Sequence, residues 1–141
     1  MAQVVIENEI FSSIKNGFLI LLGIENTDES NDADWLARKI SSLRIFSDVE
    51  GKMNLDIRQV NGDLLVVSQF TLYASTQKGN RPSFIKSAVP EKAIPLYEYF
   101  IAALDRESGI APQTGQFGAD MQVSLINDGP VTIFIDSKSR E

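Results

Sequence analysis

The stretch SQFTLYA, Ser68 to Ala74, closes an apolar run with two hydroxyls, a carboxamide and a phenol within six residues. The chemistry these types could carry is hydrolysis by hydroxyls and main-chain amides, and the composition narrows it further. The chain holds no histidine and no cysteine. A Ser-His-Asp or Cys-His nucleophile system is therefore excluded, as is a zinc site built from the usual ligands. Any hydrolysis must draw on carboxylates, hydroxyls, main-chain amides or groups of the substrate itself. Strand alternation puts Leu64, Val66, Ser68, Phe70 and Leu72 on one face, with Val67, Gln69, Thr71 and Tyr73 on the other. The plain alternative is a strand leaving the core with ordinary polar residues on its exposed side.

Three other stretches carry candidate chemistry. The polar loop KGNRPSF presents Lys78 and Arg81, which could hold phosphates or simply be solvated. Phe117 and Met121 flank a Gly-Ala pair and suit either a shallow pocket for a flat ring or core packing. In LINDGPVTIFID, Asp128-Gly129 looks like a tight hairpin, yet Pro130 cannot donate a ladder hydrogen bond where the returning strand should begin. No phosphate-binding glycine loop is present.

The elements that must position these residues follow from periodicity. Gln3 to Ile6 and Ile10 to Ile14 predict a hairpin around Glu7 to Glu9. The apolar run Phe18 to Ile24 predicts a strand buried on both faces. Leu36, Ile40 and Leu43 predict a helix over about Asp32 to Leu43, with Asn31 or Asp32 as N-cap. After a turn at Asp48 to Gly51, Asn61-Gly62 predicts a hairpin joining Leu55 to Val60 with Asp63 to Ala74. Pro90 opens a second helix, with Pro95 tolerable only near its first turn and Gly109 as its stop. Met121 to Asn127 and Val131 to Asp136 predict two closing strands, and the SKSRE tail reads as loose. Together these give an α+β fold with a largely antiparallel sheet system and two main helices.

The 141 residues, 43% hydrophobic, suit one domain, 1–141. No apolar run reaches a membrane span and no secretory leader opens the chain, so the expected location is cytoplasmic. The formal net charge of -6 argues against broad nucleic-acid binding, though a local basic patch could still grip one end.

The order of the motifs is more informative than any one of them. SQFTLYA, KGNRPSF and FGADMQVSLINDGPVT, with DADWLARKISSLRIF and GKMN upstream, resemble the D-aminoacyl-tRNA deacylases, also called D-tyrosyl-tRNA deacylases, from Ala2 to Ser137. The resemblance implies a cytoplasmic homodimer of barrel-like α+β fold that hydrolyses the ester between a D-amino acid, or glycine, and the terminal adenosine of tRNA. It implies no metal and no cofactor. It places Ser68, Gln69, Phe70 and Thr71 at the reaction centre, with main-chain N–H groups near Gln69 and Phe70 stabilising the oxyanion. By the same resemblance Gly129 and Pro130 form a cis Gly-Pro pair that enters the partner's pocket, holds the α-ammonium by its carbonyls and leaves no room for an L side chain. Phe117 and Met121 match positions that enclose the adenosine, and Lys78 and Arg81 are weaker candidates for phosphate contacts. Family chains usually begin with an additional arginine-containing strand, where this chain has only Met1.

Whether the Thr71 hydroxyl attacks, or water attacks with help from the tRNA 2'-hydroxyl, is left open by the resemblance. Without histidine to activate Thr71, the composition favours water and a main-chain oxyanion site, with Thr71 positioning. The alternatives to a deacylase are an inactive tRNA- or DNA-binding module on the same fold, and a structural homodimer.

Overall fold

Glu7 and Asn8 both take positive φ, 51° and 64°, the backbone of a two-residue hairpin turn. They join β1 (Ala2–Ile6) to β2 (Glu9–Ile14), which pair antiparallel. The structure, a computed structural model, describes residues 1–141. The chain continues through β3 (Gly17–Leu22), α1 (Ser30–Ser42), β4 (Phe46–Ser47), β5 (Met53–Leu55) and β6 (Asp63–Ser68). A 3-10 turn (Phe70–Tyr73), α2 (Pro90–Ser108), β7 (Gln113–Thr114) and β8 (Gln122–Leu125) follow. No helix is long and apolar enough to cross a membrane.

The α+β class and the two helices are as expected, but the sheets are mixed rather than largely antiparallel. β2-β1-β8 and β4-β5 are antiparallel, whereas β3-β6-β7 is parallel, and the ladders do not close into a barrel. β6 is the centre of the fold. Its Leu64, Leu65, Val66 and Val67 are each at most 1% exposed. Leu64 and Val66 face α1 and α2, where Ala37, Ile40, Tyr97, Phe100 and Leu104 close the main core. Leu65 and Val67 face Ala2, Val4 and Ile14 of the β1–β2 hairpin. Each such side chain contributes roughly 1.5–3 kcal/mol by leaving water. The strand buried on both faces is therefore β6, not the FLILLGI run. β3 lies at the sheet edge, and Leu21 is 45% exposed.

The hairpin expected at Asn61-Gly62 does not form. Asp56 Oδ1 accepts from the Arg58 and Gln59 amides at 2.9 and 3.1 Å, a local turn that competes with a strand. Gly62 N–H then donates to the Ile57 carbonyl at 3.0 Å, and Asn61, at φ 51°, redirects the chain into β6. Asn-Gly thus serves a left-handed bend, and β6 runs parallel to β3 in the register Gly17↔Asp63 to Leu22↔Ser68.

Three smaller expectations are also corrected. α1 begins at Ser30 with Glu29 as N-cap, because Asp32 occupies the third helical position and accepts from the Glu29 amide at 2.9 Å in a capping box. α2 continues through Pro95, beyond its first turn; Pro95 and Glu91, whose carbonyl loses its donor, are both exposed to water. Gly109, at φ 72°, ends that helix as expected. Val131 to Asp136 forms no strand. Asn127 instead closes the turn, accepting from the Val131 amide at 2.8 Å and donating to Thr132 Oγ1 at 2.9 Å, so the turn needs no N–H from Pro130.

Candidate active site

β3 and β6 end together at Leu22 and Ser68, and their ladder runs one residue further, where Gln69 N–H donates to the Leu22 carbonyl at 2.7 Å. The chain then leaves the sheet. Leu72 N–H bonds the Gln69 carbonyl at 3.2 Å and Ala74 N–H the Thr71 carbonyl at 3.1 Å, which makes Phe70–Tyr73 a 3-10 turn rather than the strand continuation expected to Ala74. Strand alternation therefore stops at Ser68. Phe70 and Thr71 head the turn, where no carbonyl of the turn can accept their N–H groups. Gln69 is otherwise placed: its amide is committed to Leu22, so of the two expected oxyanion donors Phe70 is the one at the turn head. The Gln69 side-chain amide donates to Thr71 Oγ1.

Beside this turn lies a cleft of about 70 Å³, lined by Leu22, Ile24, Ser68, Gln69, Phe70, Ala88, Ala93, Phe117 and Gly118. It contains no carboxylate, amine or phenol. Phe117 meets Tyr97 edge to face, ring centroids 5.7 Å apart, and Tyr97 is anchored in the core with its hydroxyl donating to the Val66 carbonyl at 3.4 Å. Burial pushes the Tyr97 phenol up, so it remains neutral. The nearby Tyr73 phenol is raised far above its ordinary value by burial and by the carboxylates of Asp28 and Asp136, so it cannot act as a base near neutrality.

The structure thus brings Ser68, Gln69, Phe70 and Phe117 to one cleft, with Thr71 tied to it through Gln69. The other sequence candidates lie elsewhere. Met121 packs beside Leu65 and Val67 on the opposite face of β6 and lies against Gly115, where an added Cβ would come within 2.6 Å of its sulfur. Lys78 and Arg81 sit exposed on a loop clasped at its base by paired 2.8 Å bonds between Ser75 and Ser83. Gly129 and Pro130, joined by a cis peptide bond, are exposed and border a separate groove of about 1200 Å³ between β3 and residues 125–137.

Sequence reasoning missed the contributions of Leu22, Ile24, Ala88 and Ala93 to the cleft. Leu22 and Ile24 fall in the run expected to be a buried strand, Ala88 and Ala93 belong to no motif, and only the folded chain brings the four beside the SQFT segment. It also missed an ionic cluster beside the large groove. Lys138 Nζ lies 2.9 Å from Asp32 Oδ2 and 3.8 Å from Asp28 Oδ1, so the tail is tied to α1 and the loop before it rather than loose. Burial pushes the Asp28 carboxyl up. Burial acts on Asp32 in the same direction, but the Glu29 amide and Lys138 outweigh it and hold that carboxyl below the usual range.

A family model described as D-Tyr-tRNA(Tyr) deacylase matches residues 1–136. D-aminoacyl-tRNA deacylases of Cytophaga hutchinsonii and Flavobacterium psychrophilum are 62% and 57% identical over 140 residues, 99% of this chain and 93% of each relative. Among solved structures, one titled "c-Myc DNA Unwinding Element Binding Protein" superposes with a TM-score of 0.86 at 38% identity, covering 94% of this chain and 89% of its own. Another, titled as a probable eukaryotic D-amino acid tRNA deacylase, gives 0.68 at 15% identity with 87% of each chain covered, a likeness of fold.

Proposed function

Because the chain belongs to the D-Tyr-tRNA(Tyr) deacylase family, we propose that it hydrolyses the ester of D-aminoacyl-tRNA, and of mischarged glycyl-tRNA, releasing the amino acid and free tRNA. The observation that carries this reading to a site is the cleft at the joined ends of β3 and β6. It offers a turn-head amide, the Ser68 hydroxyl and the Gln69 carboxamide, and no titratable side chain. Such a cleft suits a reaction whose nucleophile is water and whose proton traffic runs through the substrate.

In this account water adds to the ester carbonyl carbon, and the oxygen that gains the negative charge accepts the Phe70 N–H. The tetrahedral adduct collapses with cleavage of the bond to the ribose oxygen. The tRNA 2'-hydroxyl passes its proton to that leaving oxygen, and the 2'-oxygen takes up the proton that the attacking water loses, so the products are the free acid and the restored diol. Gln69 holds the Thr71 hydroxyl as an acceptor, which supports positioning rather than attack. Phe117 supports the adenine ring, with Met121 behind the wall. Lys78 and Arg81 face the acceptor-stem phosphates.

Chirality is assigned to Gly129 and Pro130 of a second copy. A cleft of about 70 Å³ is small for an aminoacylated nucleoside, since ligand sites run to several hundred Å³. The exposed Gly129-Pro130 corner lines a different groove of its own chain, which favours its use in trans within a homodimer. The chain is read as one deacylase domain acting in the cytoplasm. A binding module without chemistry is not favoured, and the net charge of -6 weighs further against it. Release of labelled D-tyrosine from D-tyrosyl-tRNA tests the reading: turnover supports it, and survival of the ester with stoichiometric protein overturns it.

A further inference from the structure

Phe70 is gripped from outside the 3-10 turn by Phe84, the last residue of KGNRPSF, and by Ser87 just beyond it, to which the sequence assigns no role. Ser87 Oγ donates to the Phe70 carbonyl at 3.0 Å, and the Phe84 ring meets the Phe70 ring edge to face at 5.0 Å. Both partners come from one stretch whose backbone is itself pinned. Ala88 N–H donates to the Ile24 carbonyl at 2.9 Å, Asn26 N–H to the Lys86 carbonyl at 3.3 Å, and Ser87 N–H to the Phe84 carbonyl at 3.0 Å. Glu25 and Ser87 also form an antiparallel bridge. The hydroxyl is therefore presented from a fixed frame that shares Ile24 and Ala88 with the cleft wall.

We propose that Ser87 is a positioning residue for the hydrolysis, fixing the Phe70 peptide so that the turn-head amides keep their aim at the developing oxyanion. This rests on the deacylase reading above. The physical reason is that the Phe70 carbonyl and the Thr71 amide belong to one rigid peptide plane. A bond to that carbonyl sets the tilt of the plane and so the direction of the Thr71 N–H; with the Gln69 N–H held by the Leu22 carbonyl on the other side, it also limits rotation of the Gln69–Phe70 peptide that carries the Phe70 N–H. Oxyanion donors act by being aimed before charge develops, so loss of aim lowers kcat without weakening substrate binding.

The test compares the unsubstituted protein with Ser87→Ala and Ser87→Thr on D-tyrosyl-tRNA. Ser87→Ala should lower kcat about three- to tenfold, the loss of one neutral hydrogen bond, with KM within about twofold. Ser87→Thr, which keeps the hydroxyl, should restore kcat. Amide spectra of the uncharged protein provide a second readout: Ser87→Ala should shift the Phe70 and Thr71 signals while leaving those of β6 in place. An unchanged kcat, a change in KM alone, or a loss that Ser87→Thr does not repair overturns the proposal. If the unsubstituted protein leaves the ester intact, the deacylase reading fails instead, and the amide shifts still decide whether Ser87 sets the turn.

Discussion

The Gln69 main-chain N–H donates to the Leu22 carbonyl at 2.7 Å, one residue beyond the last paired strand positions. That bond stretches the parallel ladder to the edge of the cleft and then releases the chain into the 3-10 turn. The result is a rigid strand end carrying a short turn whose first amides are unclaimed by the turn itself. The site is rigid on the Gln69 side and is braced by Ser87 on the other.

Thr71→Ala should lower turnover by no more than about tenfold, the scale of one lost hydrogen bond. Thr71 accepts from the Gln69 side chain, and the chain has no histidine to take its proton. Single-turnover deacylation checks this. A loss of a thousandfold or more with tRNA binding intact would match removal of a nucleophile.

Phe117→Ala should raise KM about tenfold while largely keeping kcat, since stacking a base on an aromatic ring is worth on the order of 1–3 kcal/mol. Phe117 is held by Tyr97 from the core side, which leaves its other face to the cleft. Steady-state kinetics separate the two constants. An unchanged KM would place the adenosine elsewhere.

Gly129→Ala should reduce turnover on the order of a hundredfold, the cost of a misplaced positioning group. Gly129 has φ 147°, and an added Cβ would stand 2.9 Å from Val131 Cγ2 and 3.1 Å from the Val131 nitrogen. Since Gly129 is exposed and outside both cores, far-UV circular dichroism should stay the same.

The grouping of the candidate residues was more legible in the sequence than the topology. Ser68, Gln69, Phe70 and Phe117 were recognisable as candidates and do meet at one cleft. Alternation could not reveal that SQFTLYA leaves the sheet after Ser68, because a 3-10 turn of four residues has no periodicity of its own. The Asn61-Gly62 signal is real as a left-handed bend, but the sequence does not encode whether the following strand pairs with its neighbour or with β3, more than forty residues earlier. For LINDGPVTIFID the alternating residues are present without a ladder, and the side chain of Asn127 replaces it.

Asp32→Ala should cost about 1 kcal/mol at neutral pH through the capping box, and more if the tail anchored by Lys138 is released. The folded Asp32 carboxyl lies below the usual range, near 3.9 in an unfolded chain. Its charged form therefore stabilises the fold in full above about pH 4 and ceases to do so as pH falls through the lower folded value. Urea titrations at pH 7 and near pH 2 should show the penalty shrinking with acid. A penalty that is constant or grows on acidification would exclude this ionic role.

Phe100→Ala should cost roughly 3–5 kcal/mol, because Phe100 is 1% exposed between the helices and β6, and a cavity there cannot collapse without moving α2. Chemical denaturation measures it. A loss below about 1 kcal/mol would show that the α2 interface is not the main core.

The most direct measurement is the deacylation rate of D-tyrosyl-tRNA against L-tyrosyl-tRNA, with the same tRNA and the same protein concentration. Rapid release of D-tyrosine with the L-ester persisting as it does in buffer is the result this account predicts. Equal rates for the two esters, or no release from either, would contradict it.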